Sequence, residues 1–417
     1  MRSSAVGVWG WCLWIAAASA SAGDVHWQRV KIDDVFRSEG VAAADVNKDG
    51  KVDVIHGFAW YEAPEWTMHP IRELKDNQDG AGSYSNSFAD FAYDVNGDGW
   101  TDLICIDFPG TPCYWFENPK NEKGHWKQHE IWHSAANETP LFVDLTGDGK
   151  PELVMSSEAE GLVGYCEVPT GDAVYNKWKF VAVNTDKIEP FPAGTPADKF
   201  PLGTFRYYHG LGVGDINNDG RKDILIPHGW WEAPPKEQLG KGVWKFHPLN
   251  LTKDGNPGYL PAADIYVDDL DLDGDQDLMM SSAHSVGIWW FENIGSNAEP
   301  KFKYNRISEV VTQTHALNFI DIDGDGTKDL VTGKRWWAHG PNGDLDAIPN
   351  ADPLIAWFGI KKTKGEPPKF IPHVIAESIG SGIGTQFLVT DVNGDKKPDI
   401  VLSNKKGTNL LLQVGGR

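Results

Sequence analysis

The stretch DINNDGRKD, from Asp215 to Asp223, carries oxygen-bearing side chains at its first, third, fifth and ninth positions, and this nine-residue frame occurs seven times. The other copies begin at Asp45, Asp94, Asp144, Asp269, Asp321 and Asp391. Hard cations such as calcium take about six to eight oxygen ligands, and alternate side chains of a tight loop can converge on one ion. A Gly at position six permits the sharp turn. The expected calcium ligands are therefore Asp45, Asn47, Asp49 and Asp53; Asp94, Asn96, Asp98 and Asp102; Asp144, Asp148 and Glu152; and Asp215, Asn217, Asp219 and Asp223. The last three loops add Asp269, Asp271, Asp273 and Asp277; Asp321, Asp323, Asp325 and Asp329; and Asp391, Asn393, Asp395 and Asp399. Thr146 at position three and Lys396 at position six are the two departures from the frame. One Asp-Gly stretch is an ordinary turn. Seven with the same ligand spacing are a repeat.

The loop starts lie 49, 50, 71, 54, 52 and 70 residues apart. Propeller blades repeat at about 40 to 50 residues, so two units hold inserts. Around each loop the chain reads as four short strands. EGVAAAD at Glu39 enters a loop and KVDVIHG at Lys51 leaves it; an aromatic third strand (AWYEAP at Ala59, GWWEAP at Gly229) and a fourth (WTMHPI at Trp66, WKFHPL at Trp244) follow. After the seventh loop only DIVLSN and TNLLLQV remain, so residues 25–32, VHWQRVKI, are expected to supply the missing strand and close the seam. The expected fold over residues 23–417 is an all-β, seven-bladed β-propeller of four-stranded antiparallel blades with calcium-binding loops. Its many Trp side chains pack between blades. If first strands run toward the loops, all seven loops share one face. The inserts, residues 183–208 and 336–353, then lie on the other.

Composition narrows the setting. The net charge is −21, with 38 Lys and Arg against 59 Asp and Glu, which excludes a nucleic-acid footprint. The four ligand positions of the loops hold 23 carboxylates. Seven divalent ions would leave a charge of about −7, ordinary for a globular chain. Residues 1–22 read as a secretory signal: Arg2, an apolar run from Val6 to Ala18, and small residues with cleavage after Ala20 or Ala22. The expected location is secreted or periplasmic, where calcium is abundant, and no second segment is apolar enough to span a bilayer. Cys105, Cys113 and Cys166 remain after cleavage, an odd number that argues against a disulfide framework. Cys105 and Cys113 flank a hairpin turn and either pair or stay as buried thiols.

Polar residues gather at the strand ends away from the loops: Glu39, Glu138, His209 and His315 before first strands, Asp107, His228 and Lys334 after second strands. Buried charge there needs partners, so a solvated or paired channel lining is one reading. The other is functional. His209, His284 and His315 with Glu138 have the ligand types of a divalent transition metal such as zinc. Lys334, Arg335, Lys405 and Tyr208 suit an oxyanion, and an uncoordinated His suits a base. Glu39 and Glu138 also have the chemistry of a glycosidase pair, at an unknown separation. Ser/His/Asp triads, phosphate loops and dinucleotide fingerprints are not evident.

The loops and their flanks resemble FG-GAP, or VCBS, repeats, the calcium-bearing blades also seen in integrin α-chain propellers, over essentially the whole mature chain. RYYHGLGVGD, SSAHSVGIWW, TQTHALNF, TGKRWWAHG and SNKKG are similar to the propeller domain of the fungal aldos-2-ulose dehydratase family. That resemblance implies a lyase that dehydrates ketosugars like 1,5-anhydrofructose, with His209 and His315 as metal ligands or base and Lys334 and Tyr208 steadying the oxyanion. It does not extend to the cupin and lectin-like domains of that family, so an isomerase activity housed there is not expected. The rival expectations are a non-catalytic propeller that binds saccharide or protein, and a purely structural calcium-stabilised scaffold.

Overall fold

The computed structural model describes residues 25–415 apart from residues 79, 82, 187–189, 193, 250, 252–261 and 343–345. The signal-like segment 1–22 lies outside the described residues. Among those described there is no α-helix, only short 3-10 turns, and no helix long and apolar enough to cross a membrane.

The chain is all-β. Its first sheet takes Ala42–Ala44, Asp53–His56, Ala59–Glu62 and Thr67–Pro70 in sequence order, each antiparallel to the next. The same meander recurs seven times, with first strands at Ala42–Ala44, Ala89–Tyr93, Lys127–Val143, Leu211–Gly214, Asp264–Asp268, Leu317–Ile320 and Leu388–Thr390. Second strands such as Asp102–Ile106 (DLICI) are buried along their whole length, which is why they read as unbroken apolar runs rather than as alternation. Lys127–Val143 serves two meanders. Its first half pairs with Thr111–Glu117 and its second half with Glu152–Ser157. No sheet closes on itself.

The last meander has three strands of its own, and its fourth is Trp27–Asp33, paired antiparallel with Gly407–Gln413 from Trp27 opposite Gln413 onward. The strand expected at residues 25–32 is thus present, shifted by a residue or two. The two ends of the chain are tied by backbone hydrogen bonds.

The core is a set of thin layers between successive meanders. Ile104 and Trp115 of the second meander pack with Leu153 and Trp178 of the third. Val331 and Trp357 of the sixth pack with Leu402 and Leu411 of the seventh. Val401 and Leu410 of the seventh then meet Val54 and Tyr61 of the first. Large flat rings fill such layers well, as expected of the Trp residues. Truncating one, as in Trp115→Ala, would cost about 3–5 kcal/mol. Cys105, Cys113 and Cys166 are buried free thiols in these layers.

Loops and histidines occupy opposite ends of the same strands. In the fourth meander Gly214 pairs with Asp223 beside the loop and Gly212 with Leu225 farther away, and His209 lies beyond that far end. In the sixth, Ile320 pairs with Asp329 beside the loop and Leu317 with Thr332, with His315 beyond.

Candidate functional site

In the first loop the Asp45 carboxylate accepts the Asp49 and Gly50 N–H groups at 3.1 and 2.9 Å, Asn47 Oδ1 accepts Asp49 N–H at 2.9 Å, and Asp49 Oδ1 accepts Lys51 N–H at 2.9 Å. The loops at Asp94, Asp215 and Asp391 repeat this web. It points the side chains of positions one, three and five inward. In the loops at Asp269 and Asp321 carboxylate oxygens from those three positions lie within 4.8 Å of one another.

Position nine is placed differently. Asp53 is buried, and its two oxygens accept the N–H groups of Val46 (3.0 Å) and Ala63 (2.9 Å). Asp102, Asp223, Asp277, Asp329 and Asp399 do the same with their own loop and third strand. Position nine therefore ties each loop to its sheet, which leaves only the remaining lone pairs of its oxygens for a cation. Burial, reinforced by the acidic loop neighbours, pushes Asp102 and Asp277 up to about 7 and Asp223 to about 8. Glu152 closes the Asp144 loop by accepting the Leu145 and Thr146 N–H groups and the Thr146 hydroxyl, at 2.8, 3.0 and 3.3 Å.

At the other end, four ligand-type side chains from four successive meanders converge. Nε2 of His209 is 2.8 Å from Nε2 of His284 and 3.4 Å from Oε2 of Glu138, and Nε2 of His315 is 3.0 Å from that same oxygen. Ligand nitrogens of the three histidines lie within 4.8 Å of one another. Burial holds His315 down at about 3 and His284 at about 4, so both are neutral imidazoles near neutral pH, the form that ligates metals. Burial alone would raise Glu138, but the His209 and His315 imidazoles hold it well below the usual carboxylate range. Three imidazoles and a carboxylate form a donor set suited to a divalent transition metal.

Asp346 supports this cluster. Its fully buried carboxylate accepts the Ala338 and His339 backbone N–H groups at 2.7 and 2.9 Å and faces the Nδ1 atoms of His284 (3.3 Å) and His339 (3.1 Å). A carboxylate so placed is an acceptor, so both Nδ1 atoms carry hydrogen, which leaves the lone pair of neutral His284 on its Nε2. Burial would raise Asp346, but these hydrogen bonds hold it far below its ordinary value.

The cluster opens into a cavity of about 620 Å³ lined by Glu138, His209, His284, His339, Arg335 and Ser285 and by the rings of Tyr84, Phe88, Phe108 and Tyr207. Three expected catalytic residues are not among these: His315, fully buried against Glu138, and Tyr208 and Lys334. Tyr208 packs in the core between the third and fourth meanders, with its hydroxyl on His228 Nδ1. Lys334 turns its ammonium to the carbonyls of Arg335 (3.1 Å) and Pro349 (3.4 Å), and burial lowers it to about 8. Tyr207 and Arg335, their chain neighbours, line the cavity instead. Glu39 lies in a buried cluster with Lys405 (2.7 Å) and Arg335 (3.4 Å) and, unlike Glu138, does not line the cavity. Asp346 and the His339 pairing had no repeat spacing to mark them.

A family model described as the FG-GAP-like repeat matches residues 94–155 and 269–332. The chain carries FG-GAP-like repeats. The matched FG-GAP-like segments hold the loops at Asp94, Asp144, Asp269 and Asp321. No curated protein matches the chain. Among solved structures it is similar to an Agrocybe aegerita lectin that recognises non-reducing terminal N-acetylglucosamine (16% identity, TM-score 0.45, 91% of this chain and 85% of that one). It is also similar to the exotype rhamnogalacturonan lyase YesX (12%, TM-score 0.45, 94% and 74%) and to the V. cholerae biofilm matrix protein Bap1 (10%, TM-score 0.43, 92% and 88%).

Proposed function

We propose that this chain is a calcium-stabilised seven-bladed β-propeller that acts as a lyase on a ketosugar of the 1,5-anhydrofructose type, at the channel mouth opposite its calcium loops. The propeller reading is supported by the apolar layers that join each meander to the next and the seventh back to the first. The segment 1–22 would act as its secretory signal, and the seven loops as its calcium sites. The catalytic reading rests on one observation: His209, His284 and Glu138, with His315 buried behind them on Glu138, border a cavity that has a second carboxylate-anchored imidazole, His339, on its wall.

His209, His284, His315 and Glu138 would hold a divalent metal such as zinc, which when bound supplies Lewis-acid polarisation of a carbonyl. His339 would be the base: its Nε2 takes the proton from the carbon α to the ketone. Arg335 would offset negative charge as the enolate forms. The carbon–oxygen bond at the β position then breaks, a carbon–carbon double bond forms, and the proton returns from His339 to the departing hydroxyl. The products are an enone and water. The rings of Tyr84, Phe88, Phe108 and Tyr207 would cover the apolar faces of the sugar.

Metal analysis and turnover test this together. Wild type incubated with 1,5-anhydrofructose should develop the ultraviolet absorbance of an enone. His209→Ala should lose about one equivalent of transition metal and on the order of 100-fold in turnover. Unchanged metal content and turnover in that variant would remove the site. Saccharide binding without absorbance change would favour a carbohydrate-binding propeller, which the aromatic cavity wall also suits.

A further inference from the structure

A second cavity, of about 450 Å³, lies beside the first and shares Tyr207 with it. It is built by the 183–208 insert against the second and third meanders, and the proposed reaction makes no use of it. Phe191 N–H donates to Ala159 O at 2.6 Å and Glu138 N–H to Tyr208 O at 3.3 Å, so the insert is tied to the third meander at residues 191 and 208.

Two features of its lining point to a ligand class. Aromatic rings run without a break out of the first cavity: Phe108 to Tyr207 (5.9 Å between centroids), Tyr207 to Phe205 (5.5 Å), Phe205 to Phe200 (6.0 Å) and Phe200 to Phe191 (5.0 Å). Beside them Arg206 Nε meets Glu158 Oε2 at 2.6 Å, with the carboxylate buried and the guanidinium 40% exposed. A guanidinium has about five N–H donors, and one of them is engaged by Glu158 here. Gly110 makes room for this pair, since a Cβ there would meet Glu158 Oε2 at 2.9 Å and Arg206 Nε at 3.1 Å. Flat rings next to a fixed planar donor and acceptor pair suit a pyranose, with its apolar faces and a rim of hydroxyls.

We propose that this second cavity is a saccharide subsite continuous with the first, so that the protein takes an oligosaccharide: its terminal unit sits at the histidines and the next units lie along Tyr207, Phe205 and Phe200, held by Arg206 and Glu158. This deepens the reading of the histidine cavity as a sugar site and rests on it. A ligand confined to the first cavity would never reach Arg206.

The test is calorimetric titration of the full chain in calcium with D-glucose and with cello-, laminari- and malto-oligosaccharides of two to four units. At least one ladder should bind tenfold or more tightly at three units than at one. Arg206→Lys and Phe200→Ala should each cancel most of that gain, leave monosaccharide affinity within twofold and leave the melting temperature in place. A flat dependence on length, with the monosaccharide still bound, overturns the subsite and leaves the histidine cavity standing. Absence of binding by every sugar also overturns the subsite, while the histidine cavity keeps its own test with 1,5-anhydrofructose. Equal losses for one and three units in the variants place Arg206 and Phe200 outside a separate subsite and also overturn the proposal.

Discussion

The two ends of the strands are built on opposite principles. At the loop end the same nine residues return seven times, and their side chains are held by local backbone N–H groups within the loop, as in Asp45 to Gly50. At the histidine end nothing repeats, and the key contacts join residues far apart in the chain, such as His315 with Glu138 and Lys405 with Glu39. One end gathers carboxylates at the surface, only some of them met by a Lys or Arg such as Lys51 or Lys120, whereas the other pairs unlike charges in the interior. Stability at the first should therefore depend on the solvent's ions, and at the second on individual side chains.

Removing calcium should have the largest effect. A site held at 100 times its dissociation constant stabilises by about 2.7 kcal/mol, so a few occupied loops match the whole stability of an ordinary domain, about 5–15 kcal/mol. Excess EGTA should lower the melting temperature by more than about 10 °C, with recovery on adding calcium. A melting curve indifferent to chelation would break the contrast, since the loops would then hold themselves together.

Next comes the buried ion pair opposite. Lys405 and Glu39 are each about 1% exposed, and Lys405→Met strands the carboxylate with Arg335 at 3.4 Å. Breaking one side of a buried pair costs about 3–5 kcal/mol. Urea denaturation in saturating calcium should show that loss, and adding Glu39→Gln should restore part of it. A loss under about 1 kcal/mol would mean that water already screens the pair.

What could be read in the sequence follows the same division. The loops were legible because ligand spacing is local, and the closing strand because the last meander was one strand short. Strand register also carried His209, His315 and Glu138 to one end. Of the expected oxyanion residues Arg335 lines the cavity, whereas Tyr208 and Lys334 do not. Both sit just outside a strand, Lys334 after Asp329–Gly333 and Tyr208 before Leu211–Gly214, where alternation of sides ceases to hold. Their neighbours Arg335 and Tyr207 face the cavity instead. Asp346 lies in an insert with no periodicity at all, and only the folded chain brings it to His284 and His339.

Acid should act first on the buried polar end. His56 Nδ1 accepts the Phe58 and Ala59 N–H groups and its Nε2 donates to Tyr61, whose hydroxyl donates to Asp33. Burial pushes His56 down to about 3. The unfolded chain therefore takes up this proton first, near the ordinary value of about 6.5. The contribution of neutral His56 is complete above about pH 6.5 and is lost as pH falls toward 3, by at most about 1.4 kcal/mol per pH unit. Between pH 6.5 and 5 the wild type should lose about 2 kcal/mol more than His56→Asn. Equal losses in the two proteins would place the acid sensitivity in other groups.

The smallest effect tests whether the seven loops are truly equivalent. Lys396 occupies the glycine position of the last loop with φ of 68°, against 86°, 84° and 85° at Gly50, Gly99 and Gly220. Its N–H still reaches Asp391 Oδ2 at 2.8 Å, as Gly220 N–H reaches Asp215 Oδ2 at 2.8 Å. The loop therefore keeps the shape of its siblings and holds a side chain in the left-handed region, at a cost of roughly 1–2 kcal/mol. Lys396→Gly should remove that cost and return about 0.5–1 kcal/mol of it to the greater freedom of the unfolded chain. The net gain expected is about 0.5–1 kcal/mol, read as a higher urea midpoint in saturating calcium with an unchanged slope. If the variant is instead less stable, the Lys396 side chain contributes a contact that outweighs its backbone strain, and the last loop is a distinct site rather than an imperfect copy.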